Sequence, residues 1–99
     1  MRYACTWQAF CHRPDHSWWR WAQVHDVSGT GVLLRTNQPF EKGSLLDLEI
    51  EVCGFIIPVW VQHVKEEPDG YWLLGCEFAD GLSVPEEDLQ RVLRRFAQQ

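Results

Sequence analysis

Trp18-Trp19-Arg20-Trp21-Ala22-Gln23-Val24-His25-Asp26-Val27-Ser28-Gly29-Thr30-Gly31-Val32-Leu33-Leu34-Arg35 is the stretch whose reading decides the fold. Its flanks, Trp18 to Val27 and Gly31 to Thr36, are rich in aromatic and branched side chains and read as strands. Its centre, Asp26 to Gly31, is short, polar and glycine-rich, so it is a tight turn between those strands. Such a turn presents the Asp26 carboxylate, the Ser28 and Thr30 hydroxyls and several backbone N–H groups together. Gly29 and Gly31 are free to take φ > 0, which would let the N–H groups converge and a ligand approach the backbone closely. Taken alone, the same residues also describe an ordinary hairpin loop.

Working outward, residues 3–11 form a first β-rich segment, and His12-Arg13-Pro14-Asp15-His16-Ser17 is a turn without an apolar anchor. In the second strand Trp19, Trp21, Gln23 and His25 share one face, and Trp18, Arg20, Ala22 and Val24 the other. Neither face is purely apolar, so one of them is a candidate for binding or for packing on a partner. Beyond the turn, 37–43 is a loop, and Leu45 to Val52 alternates with Leu46, Leu48, Ile50 and Val52 inward. Cys53-Gly54 is a short turn. Phe55 to Lys65 follows, with Phe55, Ile57, Val59 and Val61 on one face; Pro58, lacking an N–H, marks a local edge or a bulge. Glu66 to Gly70 ends in Asp-Gly, a hairpin signal, and Tyr71 to Phe78 carries Trp72, Leu74, Cys76 and Phe78 on one face.

The period then changes. Ser83-Val84-Pro85-Glu86 has the form of a capping box, and Leu89, Val92, Leu93 and Phe96 recur at helical spacing. Arg91, Arg94 and Arg95 fall late in that helix, where they suit its dipole. About six closely spaced strands and one terminal helix predict a mainly β chain, a small closed antiparallel barrel with the helix packed on it. At 99 residues this is one domain, 1–99.

A net charge of −5 argues against nucleic acid or an anionic membrane surface as the main partner, because both need a basic field. No apolar run approaches the ~18 residues of a membrane span, so no membrane insertion is expected. The start, Met1-Arg2-Tyr3-Ala4-Cys5-Thr6, has no signal-peptide core, which points to the cytoplasm and to reduced thiols at Cys5, Cys11, Cys53 and Cys76. No cysteine pair has C-x2-C spacing, and no metal site is expected. His25, Asp26 and Ser28 contain the letters of a catalytic triad but match no nucleophile elbow, and no phosphate loop or dinucleotide fingerprint is present. The chain is not expected to be an enzyme. Trp18, Trp19 and Trp21 have the chemistry to stack bases, but the net charge opposes that use.

Asp26-x-Ser28-x-x-Gly31 between two strands resembles the D-x-S-x-x-G signature of PilZ domains. Pro39-Phe40-Glu41-Lys42-Gly43-Ser44 resembles the family's loop before its next strand. Trp72-Leu73-Leu74-Gly75-Cys76-Glu77-Phe78 is similar to its last strand, and Leu82-Ser83 with Glu86-Glu87-Asp88-Leu89 to the approach of its C-terminal helix. The resemblance covers nearly the whole chain. It implies a six-stranded antiparallel β-barrel, no enzymatic activity and no cofactor. The role implied is that of a bacterial receptor module for the second messenger cyclic di-GMP, relaying its ligand state to a protein partner that the sequence does not name.

The ligand-binding residues carried over by the resemblance are Arg2, Asp26, Ser28, Gly29 and Gly31. A guanine edge offers N1–H and N2–H donors, which a carboxylate such as Asp26 accepts. Arginine matches guanine O6 and N7 with two parallel bonds and also binds phosphate. The family's second motif, R-x-x-x-R, precedes the first strand. Arg2 fills one of its positions; the other falls either before Met1 or on Thr6, and Arg13 and Arg20 come too late in sequence, although either could reach in from a neighbouring strand. The alternative expectation is therefore a degenerate barrel that serves as a protein-interaction module without nucleotide binding.

Overall fold

The computed structural model describes residues 2–15, 18–52 and 54–96. The elements are β1 (Tyr3–His12), β2 (Arg20–Val27), β3 (Gly31–Thr36), β4 (Leu45–Ile50), β5 (Phe55–Glu66), β6 (Trp72–Phe78) and α1 (Glu86–Phe96). A single turn of 3-10 helix, Ala79–Gly81, links β6 to the approach of α1. The strands form a closed barrel in the order β1-β2-β3-β6-β5-β4, every pair antiparallel, with β1 meeting β4 to complete the ring. The expected fold, a six-stranded antiparallel barrel with one C-terminal helix, is the fold found.

Period-two alternation sends one side of each strand into the barrel. Ala9, Cys11, Ala22, Val24, Leu34, Leu46, Leu48, Val59, Val61 and Leu74 are fully enclosed. Small residues on β1 and β2 (Ala9, Cys11, Ala22) share this core with leucines on β3, β4 and β6. Each such leucine or valine contributes about 1.5–3 kcal/mol by leaving water. Leu89 of α1 joins the same core, and Leu93 packs against it. Tyr3 fastens the helix: its hydroxyl donates to the Glu86 carboxylate and accepts from Gln90 Nε2 at 3.1 Å.

Several boundaries differ from the sequence reading. β2 begins at Arg20 rather than Trp18, because Arg20 lies opposite Cys11 in the last β1–β2 pair. Trp19 instead sets its ring edge-on against His12, with centroids 3.9 Å apart. β4 stops at Ile50 rather than Val52, where Gly54 N donates to Ile50 O at 2.9 Å. The turn expected at Cys53-Gly54 falls partly outside the described residues, since Cys53 is not among them. The expected capping box is displaced: Leu89 N donates to Pro85 O, and the Glu86 carboxylate turns to Tyr3. Pro58 does sit at a local edge, since β5 pairs with β6 only from Val59 onward while 55–58 pair with β4.

One irregularity positions the turn from Asp26 to Gly31. Simple alternation would put Asp26 on the inward face with Ala22 and Val24. The β2–β3 register instead pairs Val24 with Leu34 and Asp26 with Leu33, so β2 carries one extra residue at His25. That bulge reverses the alternation. Asp26 comes to lie opposite exposed Ala4 and half-buried Leu33, while Val27 turns into the core opposite Val32.

Candidate ligand-binding site at the β2–β3 turn

The bulge leaves the Asp26 carboxylate on the outer surface at the end of β2, and the Ala4–Asp26 pairing brings the residues just ahead of β1 beside it. Arg2 Nη1 meets Asp26 Oδ1 at 2.5 Å, with the two side chains 55% and 22% exposed. Arg2 and Asp26, far apart in sequence, are thus brought together.

Ser28 has a different place. It is only 7% exposed. Its hydroxyl accepts from the backbone N–H of Thr30 at 3.3 Å and of Gly31 at 3.2 Å, while Ser28 N donates to Gly31 O at 2.9 Å. The side chain thus replaces solvent for the turn's own donors and fixes the turn's shape.

Gly29 and Gly31 are not in the left-handed region, so the freedom of φ expected of them is not used. Each is needed for lack of a Cβ. A Cβ on Gly31 would run into the Cys76 carbonyl oxygen of β6, and one on Gly29 would stand 2.7 Å from Val84 O. Val84 N also donates to Gly29 O at 2.7 Å, joining the turn to the approach of α1.

Beside the turn, a cleft of about 190 Å3 is lined by Arg2, Thr30, Gly31, Gln62, His63 and Glu77, with Gly75 and Cys76 as backbone floor. The contributions of β5 and β6 were missed from sequence. Gly31 lies opposite Glu77, and Glu77 opposite Trp60, only because β6 sits between β3 and β5. The asymmetric strand order is the signal that would have found them. Arg20, considered as a second arginine for this site, lies at the far end of β2, opposite Cys11. Six strand residues at about 3.3 Å each put it roughly 20 Å from Asp26, so it does not reach. Arg13 lines another cleft together with Arg20, and Thr6 lies exposed on β1.

Among the described residues, no three His, Cys, Asp or Glu side chains converge as a metal site. Cys11 and Cys76 are buried and Cys5 is half-buried: burial pushes Cys5 up to about 11, and Cys11 and Cys76 up to about 12. No helix among the described residues is long and apolar enough to cross a membrane.

A closed antiparallel barrel, a polar turn held by a buried serine and a terminal helix whose approach is bonded to that turn define a small β-barrel domain. The family model of the PilZ domain matches residues 1–98, and the chain belongs to that family. No curated protein sequence matches it. Among solved structures it is similar to the Bacillus subtilis inhibitor of motility MotI/DgrA, with a TM-score of 0.70 and 14% identity, over 99% of this chain and 50% of that one. It is also similar to MrkH of K. pneumonia. Against the MrkH–c-di-GMP complex the TM-score is 0.63 at 17% identity, over 98% of this chain and 48% of that one. Against MrkH in its apo state it is 0.62 at 18%, over 99% and 49%. The chain spans about half the length of these proteins.

Proposed function

We propose that the chain is a single PilZ domain, not an enzyme, that binds cyclic di-GMP in a bacterial cytoplasm and passes its ligand state to a protein partner. The observation that carries this reading is the meeting of Arg2 and Asp26 at the edge of a cleft beside the D-x-S-x-x-G turn. Membership of the PilZ family supports it, as does the likeness to a c-di-GMP complex.

In this reading Asp26 accepts the N1–H and N2–H of one guanine. Arg2 turns from Asp26 to guanine O6 and N7 or to a phosphate oxygen. Opening the half-exposed ion pair costs little, of order 0–1 kcal/mol, so the ligand's charge-assisted bonds outweigh it. Ser28 holds the turn, and Gly29 and Gly31 let it seat between Val84 and β6. The test is calorimetric titration with cyclic di-GMP at low salt, for this chain and for one extended N-terminally. Absence of heat in both up to about 1 mM, a free energy near −4 kcal/mol, sinks the proposal.

One observation favours a second reading, a barrel used only for protein contacts. Phe10 and Ile56 are exposed on the outer wall, flanking Glu49 across neighbouring strands. Loss of nucleotide binding with retained partner capture would select it.

A further inference from the structure

The end of the barrel remote from Asp26 holds a larger cleft, of about 330 Å3. That is within the size range of small-molecule sites, which favour the mouths of β-barrels. Three segments build it. The β1–β2 connection brings Arg13 and Trp18, the first residue of β2 is Arg20, and the β3–β4 loop supplies Pro39, Phe40 and Glu41.

Arg20 continues the inward parity of Ala22 and Val24 and lies opposite enclosed Cys11, so it stands at the lip of the barrel. Its charge is felt by the Cys11 thiol, although burial still dominates there. Phe40 is half-buried against the core and forms an apolar wall. Trp18 is 73% exposed, a large ring with little of its surface covered. Arg20 makes no ion pair among the described residues, and Arg13 is held by Asp15 through two long contacts, Nε to Oδ1 at 3.4 Å and Nη2 to Oδ2 at 3.5 Å, which a phosphate can replace. A chain of net charge −5 thus gathers two guanidinium groups around one aromatic-walled cleft.

These groups ask for a ligand with an anionic head, a flat ring and a hydrogen-bond donor edge. Guanidinium matches phosphate in bidentate fashion. Trp18 and Phe40 offer ring surfaces. Glu41, on the rim, repels a bare anion but accepts N–H donors. We propose that this barrel mouth is a second ligand site, which takes a purine nucleoside monophosphate or a molecule of the same chemistry. The phosphate lies on Arg13 and Arg20, the base against Trp18 and Phe40, and the base's N–H edge on Glu41. The site is independent of the Asp26 turn.

The test is a nuclear magnetic resonance titration of the isotopically labelled chain with guanosine monophosphate, and separately with phenylacetate, which has a ring and an anion but no donor edge. With the nucleotide, the amides of Arg20, Phe40 and Glu41 and the indole N–H of Trp18 are expected to shift along one binding curve, with Kd between about 10 μM and 1 mM. The amides of Ser28 to Gly31 stay in place. Arg20→Ala and, at its exposed loop position, Arg13→Ala each weaken binding about tenfold, the scale of one charge-assisted contact. A collapsed spectrum for Arg20→Ala would leave Arg13→Ala to decide. The proposal is overturned by no shift at about 5 mM nucleotide, by shifts centred on Ser28 to Gly31, by an unchanged Kd in Arg13→Ala, or by phenylacetate binding as tightly as the nucleotide.

Discussion

Arg2 and Asp26 lie 2.5 Å apart across the start of the β1–β2 ladder, so the two groups proposed to grip the ligand stand side by side. Both are partly open to water, and an ion pair of this kind contributes little to folding. A double-mutant cycle on Arg2→Ala and Asp26→Ala, read by urea denaturation, is expected to give a coupling below about 1 kcal/mol. In the calorimeter the same substitutions separate the pair from its proposed use. Asp26→Ala should weaken cyclic di-GMP binding by roughly 1–3 kcal/mol, the scale of one bidentate base contact. Unchanged affinity would remove Asp26 from the site.

Gly31→Ala should lower stability by about 1–3 kcal/mol, the usual range for overpacking, because the new methyl meets a backbone oxygen of β6 and neither strand can yield without breaking the ladder. Chemical denaturation measures it. A variant of wild-type stability that lost only ligand binding would instead return Gly31 to the role of leaving space for a ligand.

Tyr3→Phe removes the hydroxyl shared by Glu86 and Gln90. The expected loss is about 1 kcal/mol. It should be felt first as faster hydrogen exchange at the Leu89 amide, since α1 loosens before the barrel opens. Equal acceleration across β3 and β6 would show that the helix and barrel unfold together instead.

The enclosed thiols set the response to alkali. In the folded chain Cys11 and Cys76 ionise near 12 and Cys5 near 11, against an ordinary value of 9.0, because burial disfavours the thiolate. The unfolded chain therefore loses these protons first. Their contribution to stability is complete below pH 9 and is lost as pH rises from there through the folded values. Melting curves should fall steadily over that range, and iodoacetamide should label the buried Cys11 and Cys76 at pH 8 only at the rate of unfolding. Rapid labelling of Cys11 and Cys76 in the native protein would contradict their burial.

The strands were legible because alternation persists along most of them: Leu46, Leu48 and Ile50, or Leu74, Cys76 and Phe78, read directly as an inner face. The Asp-Gly pair at 69–70 ended its hairpin as expected, with Gly70 at φ 88°. The turn motif was legible as letters, but its mechanics were not. The bulge at His25, which turns Asp26 outward, changes no composition and shows only in the register with β3. The places of Gly29 and Gly31 depend on Val84 and Cys76, partners that come from other parts of the chain. The expected capping box failed for the same reason: Glu86 found Tyr3, 83 residues away, and that contact took the place of the local bond. Local pattern describes each strand's two faces; which strand becomes its neighbour is settled by closure of the ring.

The bonds from Tyr3 to Glu86 and Gln90 have an architectural consequence. They seat the beginning of the first strand against the last helix, so the points where the chain enters and leaves the barrel lie on one side of it. A domain built this way can be spliced into a longer polypeptide as a plug, with both connections leaving from the same wall and the remaining surface undisturbed. The opposite mouth, with Arg20 and Phe40, lies at the far end of the barrel from both connections.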